Sequence, residues 1–168
     1  MVSKDGDSTA ARGGGVRGSG SGNGGVSGVP GFFNGRVVLL TGCTGFVGKV
    51  LLAKLLRCCP GVVRVYVLMR GRRGCPASDR LASLRRSGAF SLLASEQPEW
   101  WRKVVCVDGD VSVSPNCGVS SADLQMLRGA RVSVVLHCAA TVKFHENLGV
   151  AVRTNVDGAI GVARLARF

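Results

Sequence analysis

The stretch RVVLLTGCTGFVGKVLLAKLLR, residues 36–57, decides the fold of this chain. An apolar run is followed by a turn that contains Gly42, Gly45 and Gly48, and then by a helical pattern that stops before a Pro-Gly pair. Glycines let the main chain turn tightly and let phosphate oxygens approach its N–H groups, and the helix that follows directs its positive end at an anion. The segment therefore predicts a strand–turn–helix unit that holds the pyrophosphate of a dinucleotide.

The rest of the chain repeats the alternation of strand and helix. Strands are predicted over residues 36–40, 63–69, 104–107 and 132–137, and helices over residues 47–57, 79–86, 90–96, 120–127 and 148–168. Nearly continuous apolar strands joined by helices indicate a parallel sheet that is covered on both faces. Right-handed crossovers then predict an α/β fold, a partial Rossmann-like doubly wound sheet with strand order 3-2-1-4, and a ligand crevice beside the first strand.

Residues 1–31 differ in composition from the rest. They are rich in glycine and serine and poor in large apolar side chains, so burial cannot offset the entropy of ordering them. We expect a disordered tail there and an NADP-binding Rossmann domain over residues 32–168. Because the final helical pattern runs to residue 168 without a stop signal, we expect this domain to be incomplete at its C-terminal end, through a real truncation or a partial gene model.

Composition limits the classes of function. Nearly all of the net charge of +12 lies beyond residue 35, which favours anionic partners such as phosphates or coenzyme A. Charge is the only feature that points to nucleic acid, so no nucleic acid partner is expected. Seven cysteines without a C-x-x-C pair indicate reduced, mostly buried thiols and no metal site. No secretory segment and no apolar run of about 18 residues is present, so an intracellular protein is expected.

The residue that follows the second strand predicts the choice of cofactor. An NAD-binding protein usually has an acidic residue about 20 positions after the glycines, where it holds the ribose 2′-hydroxyl. This chain has Arg70 there, followed by Arg72 and Arg73. A guanidinium can bind a 2′-phosphate through two parallel hydrogen bonds, whereas a carboxylate would repel it. The pattern therefore favours NADPH, and a solvated basic turn is the alternative interpretation.

Other residues at the ends of strands complete the candidate site. Asp110 follows the third strand and is predicted to meet the adenine edge, with a simple loop cap as the alternative. His137 ends the fourth strand and is interpreted as a satisfied strand-end histidine rather than a catalyst. Phe46 is interpreted as a packing residue, and Asn155 as a hydrogen-bonding residue near the active site. The candidate cofactor-binding residues are Thr41, Gly42, Thr44, Gly45, Phe46, Val47, Gly48, Arg70, Asp110, Val111, Ala139, Ala140, Thr141 and Asn155.

A proton donor for carbonyl reduction is missing from the sequence. Short-chain and extended dehydrogenases use a tyrosine with a lysine four residues later. The only tyrosine here is Tyr66, inside the second strand, and the residue four positions later is Arg70. No catalytic residue is therefore predicted in this chain, and this part alone is expected to be inactive.

Several motifs in order resemble one family. The segments are FFNGRVVLLTGCTGFVGKVLL at 32–52, VYVLMR at 65–70, VDGD at 107–110, HCAATVKF at 137–144 and TNVDG at 154–158. Together they resemble the opening of the alcohol-forming fatty acyl-CoA reductases of the male-sterility type, although Cys43 stands where that family usually has alanine. The resemblance implies that the glycine turn, Arg70, Asp110, residues 139–141 and Asn155 line the cofactor.

The resemblance also implies an activity. Such enzymes are extended short-chain dehydrogenases that use NADPH to reduce long-chain acyl-CoA to an aldehyde and then to a primary alcohol. They are usually associated with peroxisomal or endoplasmic reticulum membranes, which this chain could reach only through further C-terminal segments. Two alternatives stay open: a thioester-reductase domain of a carboxylic-acid reductase or peptide synthetase, and a non-catalytic NADPH-binding module.

Overall fold

Four strands in the described part of the chain form one parallel sheet in the order β3-β2-β1-β4, as predicted. The computed structural model describes residues 27–72 and 74–167. The strands are β1 (Val37–Thr41), β2 (Arg64–Met69), β3 (Val104–Asp108) and β4 (Val134–His137). Each bound lies within two residues of the prediction from the apolar runs. The strand order therefore places the point of reversal beside β1, where the crevice is expected.

Helices cover both faces of this sheet. They are α1 (Gly28–Phe33), α2 (Phe46–Cys58), α3 (Ala77–Arg85), α4 (Ser91–Glu96), α5 (Ser121–Gly129), α6 (Leu148–Val152) and α7 (Gly158–Leu165). Short 3₁₀ turns occur at Gly88–Phe90, Trp100–Lys103 and Asn116–Gly118. Helix α1 begins inside the range predicted as a tail, and residues 1–26 of that tail lie outside the described part. A π-helical turn, Arg153–Asp157, joins α6 to α7 where one continuous helix was expected.

Two apolar clusters, one on each face, hold the sheet. Side chains alternate along β1, so that Val38 and Leu40 belong to one cluster and Leu39 belongs to the other. The first cluster includes Phe90 stacked on Trp100, with ring centroids 4.9 Å apart. Burial on both faces explains why β1 and β2 are almost continuously apolar in sequence.

Strand β4 is covered less completely than β1 and β2. Its apolar residues are only half-buried, whereas those of β2 after Arg64 are buried. The residues after β4 include Val142 and Phe144, whose exposed fractions are 84% and 100%. The prediction of a sheet covered on both faces therefore holds for β1 and β2 and only in part for the edge strand β4, whose half-buried Val134 and Leu136 pack against one cluster and Val135 against the other.

The cysteines fit the expected reduced state. All seven are free. Three are buried and four are half-buried, so they are less buried than the sequence analysis predicted. Burial raises the pKa of the Cys43 thiol to about 12 and that of Cys106 to about 11, so both thiols stay protonated at neutral pH. Within the described ranges there is no cluster of metal-ligating side chains, and no helix is long and apolar enough to cross a bilayer.

Candidate functional site

A cleft of about 560 Å³ opens at the carboxyl ends of the strands. It is bounded by the glycine turn, by the segments after β2, β3 and β4, and by the start of the helical region after residue 147. The predicted residues that line it are Gly42, Thr44, Gly45, Arg70, Asp110, Val111, Ala139, Ala140 and Thr141. The predicted residues outside its lining are Thr41, Phe46, Val47, Gly48 and Asn155. The volume is within the usual range for small-molecule and cofactor sites.

Steric restrictions explain two of the glycines in the turn. Gly42 has a φ of +72°, and an added Cβ would lie 2.5 Å from the main-chain nitrogen of Ala139. A Cβ on Gly48 would overlap the carbonyl of Gly42, so this glycine lets α2 pack against the turn instead of lining the cleft. Helix α2 starts directly after Gly45, and its first turn contains no acidic residue. Its unpaired N–H groups therefore form a positive end beside the cleft.

Thr41 has a structural role instead of the predicted contact with phosphate. Its side chain is fully buried, and its Oγ1 accepts hydrogen bonds from the main-chain N–H groups of Cys138 and Ala139, both at 3.2 Å. The same oxygen lies 2.6 Å from Nδ1 of His137. Thr41 thus ties the end of β1 to the end of β4, and the sequence prediction for this residue is wrong.

His137 is a satisfied strand-end histidine, as interpreted from the sequence. Because Oγ1 of Thr41 already accepts two N–H groups, its hydroxyl hydrogen is free to donate to Nδ1 of His137. That arrangement assigns the neutral ring with its hydrogen on Nε2. Burial lowers the pKa of His137 below its usual value, in agreement with the neutral form.

Asp110 and Arg70 form an ion pair at the cleft, with 2.9 Å between Arg70 Nη1 and Asp110 Oδ2. The other carboxylate oxygen, Oδ1, accepts hydrogen bonds from the main-chain nitrogen and the hydroxyl of Ser112, at 2.9 and 2.8 Å. Burial opposes ionisation, but these hydrogen bonds and the guanidinium hold the pKa of Asp110 below its usual range. Asp110 therefore does serve as a loop cap, the alternative interpretation, and still presents one oxygen to the cleft.

Arg80 is a cleft residue that the sequence analysis missed. Its guanidinium donates to the main-chain carbonyl of Arg70 through Nη1 and to Oγ1 of Thr44 through Nη2, the latter at 3.4 Å. It has no carboxylate partner within 27–72 and 74–167. The only signal was a coarse one: a helix that follows a parallel strand begins at the carboxyl edge of the sheet, but the sequence pattern does not say which of its residues faces the cleft. Arg72, Lys143 and Arg153 also line the cleft, and Arg73 lies outside the described residues.

The remaining candidates lie around the cleft. Phe46 is 84% exposed and Val47 is 62% exposed, so the interpretation of Phe46 as a packing residue is wrong for the described chain. Asn155 makes two hydrogen bonds to the main chain of Thr141: its Nδ2 donates to the carbonyl at 2.9 Å, and its Oδ1 accepts from the N–H at 2.8 Å. It holds the segment after β4, which itself lines the cleft.

The sheet order, the glycine turn at the start of α2 and the basic cleft define a Rossmann-like domain that binds a nicotinamide dinucleotide. The model of an NAD-binding family described as "Male sterility protein" matches residues 40–168, and the chain belongs to this family.

Known proteins agree with this assignment. The chain is 41% identical over 128 residues to fatty acyl-CoA reductase 1 of Mus musculus, covering 76% of this chain but only 24% of the relative. It is 28% identical to the terminal R domain of the myxalamid PKS-NRPS pathway (TM-score 0.61; 79% of this chain and 32% of that one). It is 31% identical to the reductase domain of a non-ribosomal peptide synthetase from Mycobacterium tuberculosis (TM-score 0.57; 78% and 30%). The chain thus spans about a quarter of the length of the curated relative.

Proposed function

We propose that this domain binds NADPH as the N-terminal part of a fatty acyl-CoA reductase, which reduces long-chain acyl-CoA to fatty alcohol. One observation carries the proposal: the glycine turn and the arginines that follow β2 face the same cleft. The identity of 41% to a fatty acyl-CoA reductase supports the activity.

Three parts of the cleft suit three parts of the cofactor: the pyrophosphate, the 2′-phosphate and the nicotinamide half. The main-chain N–H groups at the start of α2 would hold the pyrophosphate. Arg70 and Arg80 would hold the 2′-phosphate, because a guanidinium is well suited to a phosphate and no acidic residue follows β2. The small residues Ala139 and Ala140 would let the nicotinamide half approach the main chain after β4. This arrangement favours NADPH over NADH.

Bound NADPH would supply the hydride for each of the two reductions. The residues of this chain would bind and orient the cofactor. Tyr66 is 3% exposed inside β2, so it is not available to donate a proton to a carbonyl oxygen in the cleft. We propose that this segment is the cofactor-binding half of the reaction centre, that no catalytic residue belongs to it, and that it is inactive alone.

A thioester-reductase domain is the second candidate. The likeness to two reductase domains of peptide synthetase systems, at 28% and 31% identity, favours it. The two candidates differ in the acyl donor, which is a free acyl-CoA thioester in one and an acyl thioester on a carrier protein in the other. The higher identity to the curated acyl-CoA reductase leads us to prefer the first.

Calorimetric titration of the chain with NADPH and NADH tests the cofactor. We expect NADPH to bind at least about tenfold more tightly, equivalent to about 1.4 kcal/mol. Failure of both dinucleotides to bind a folded chain would reject the proposal. The acyl donor is tested with the longest form of the protein that can be expressed, by following NADPH consumption with palmitoyl-CoA and with a palmitoyl carrier protein. Consumption only with the carrier-bound acyl group would favour the second candidate.

The location in the cell follows from the proposed activity alone. We propose association with a peroxisomal or endoplasmic reticulum membrane through segments other than those described. Microscopy of a tagged protein with organelle markers tests this, and an even cytoplasmic distribution would contradict it.

A further inference from the structure

The ion pair between Arg70 and Asp110 lies at the part of the cleft that an adenine base would enter. Both residues line the cleft, Arg70 after β2 and Asp110 after β3. The contact of 2.9 Å joins the two strand ends directly. An adenosine bound between these ends, as the proposed function requires, must therefore meet both side chains.

The two oxygens of the Asp110 carboxylate are not equivalent. Oδ1 is committed to the loop, where it accepts two hydrogen bonds from Ser112. Among the described residues, Oδ2 has Arg70 as its one partner within hydrogen-bond distance. The Asp110 main-chain N–H also donates to the carbonyl of Cys117 at 2.8 Å, and a Cβ on Gly109 would press on that same carbonyl. The loop therefore holds the carboxylate in place with Oδ2 toward the cleft.

Arg70 differs from its partner because its side chain is free to move. The side chain is 64% exposed, and Asp110 is its one side-chain partner in the described chain. Its main chain, by contrast, directly follows Met69, the last paired residue of β2, and its carbonyl accepts a hydrogen bond from Arg80. The guanidinium can thus leave the carboxylate while the backbone that carries it stays fixed.

We propose that the exocyclic amino group of adenine replaces Arg70 at Oδ2 of Asp110, and that the released guanidinium then binds the 2′-phosphate. The exchange makes Asp110 a residue that determines specificity for both the base and the phosphate, and it rests on the proposed NADPH site. An amino N–H is a donor that an ionised carboxylate oxygen accepts, and a phosphate dianion replaces the carboxylate as the partner of the guanidinium. Recognition of the base and recognition of the 2′-phosphate are therefore coupled.

Four ligands test this coupling in the unaltered chain: NADPH, NADH and the analogue of each in which unsubstituted purine replaces adenine. In purine a hydrogen atom replaces the amino group and the neighbouring ring nitrogen carries no hydrogen, so this base has no N–H donor that could take the place of Arg70 at Oδ2. The preference for the 2′-phosphate is the Kd of the ligand without it divided by the Kd of the ligand with it. We expect this preference to be about threefold to tenfold larger with adenine, the range for breaking a partly exposed, charge-assisted pair. Equal preferences with the two bases would overturn the exchange.

Two variants identify the residues responsible. Asp110→Asn keeps one oxygen as the acceptor for Ser112 but puts an amide NH2 in place of Oδ2. This NH2 can neither hold Arg70 nor accept from the amino group, so the preference should become equal for the two bases. Arg70→Met removes the other partner, so the preference should fall for both bases and the coupling should vanish. Coupling that persists at full size in both variants would contradict the exchange. Asp108→Asn, at the end of the same strand and outside the cleft lining, is the matched control and should keep the coupling.

The outcomes separate this inference from the function on which it rests. If none of the four ligands binds to folded protein, the proposed cofactor site itself is wrong. If NADPH binds more tightly than NADH but the preference does not depend on the base, the site stands and the exchange is wrong. If Asp110→Asn does not fold, the ligand series and Arg70→Met still decide the matter.

Discussion

The two walls of the cleft are built from different parts of the chain. On one side, the glycine turn and the first turn of α2 offer main-chain groups, and positions 42 and 48 have no room for a Cβ. On the other side, Arg70, Arg80 and Asp110 offer partly exposed side chains: Arg70 is paired with Asp110, and Arg80 donates to the main-chain carbonyl of Arg70. The first wall, made of main-chain groups, is therefore a property of the fold. The second wall, made of side chains, can change without loss of the fold. Substitutions in each wall should therefore fail in different ways.

The largest effect is expected for Gly42→Ala. The new methyl group would meet the main chain after β4, at a residue whose positive φ already disfavours a side chain. We expect the free energy of unfolding to fall by about 3 kcal/mol, the sum of overpacking and left-handed strain. Urea denaturation measures it. Gly129→Ala is the control, because an added Cβ there meets nothing within 4 Å and its φ is not positive. Equal stability of the two variants would show that the first wall is not restricted in this way.

Thr41→Val should have the next largest effect. This change keeps the size of the side chain but leaves the half-buried N–H of Ala139 without its acceptor and also removes the partner of His137. An unsatisfied buried donor costs about 1–3 kcal/mol, and we expect a loss in this range by chemical denaturation. Thr41→Ser restores the oxygen and should recover most of the stability. If valine is as stable as serine, the hydroxyl does not join β1 to β4 as described.

Changes in the second wall should alter the selectivity for the cofactor more than stability. We expect Arg70→Ala and Arg80→Ala each to weaken NADPH binding by about tenfold, with a much smaller change for NADH, because each removes one charged donor from the phosphate. Calorimetric titration with both cofactors measures the difference. Arg128→Ala, on α5 and away from the cleft, should change neither affinity. An equal loss for NADPH and NADH would remove both arginines from the 2′-phosphate site.

The smallest effect is expected for the pH dependence of stability that comes from His137, at the end of β4. Because burial lowers the pKa of His137 in the folded protein, the unfolded chain takes up a proton first as the pH falls. The contribution of the neutral ring is therefore complete above the unfolded pKa of about 6.5 and is lost as the pH falls through the lower folded value. Denaturation at pH 7.5 and pH 5 should show this loss, and His137→Gln should reduce it. His145→Gln, at an exposed position, should leave it unchanged.

Much of the first wall could be predicted from the sequence, because its determinants are local. Gly42, Gly45 and Gly48 lie within one turn, between a strand and a helix whose periodicities are plain in the apolar pattern. The second wall was predicted only in part. Arg70 and Asp110 were identified as candidates, but their contact joins residues 40 positions apart in the chain. Arg80 was missed because nothing in a helical pattern says which residue will face the end of a neighbouring strand.

The sequence by itself determined the parallel sheet, its strand order and the phosphate-binding turn, because strand and helix periodicity and the right-handed crossover leave little choice of topology. Only the tertiary structure decided which polar groups reach the cleft. Thr41 bonds to the segment after β4, since a buried hydroxyl must find a partner wherever packing places one, and Asn155, which is exposed, bonds to the main chain of Thr141. Such partners are close in space and distant in sequence, and no local pattern encodes their distances.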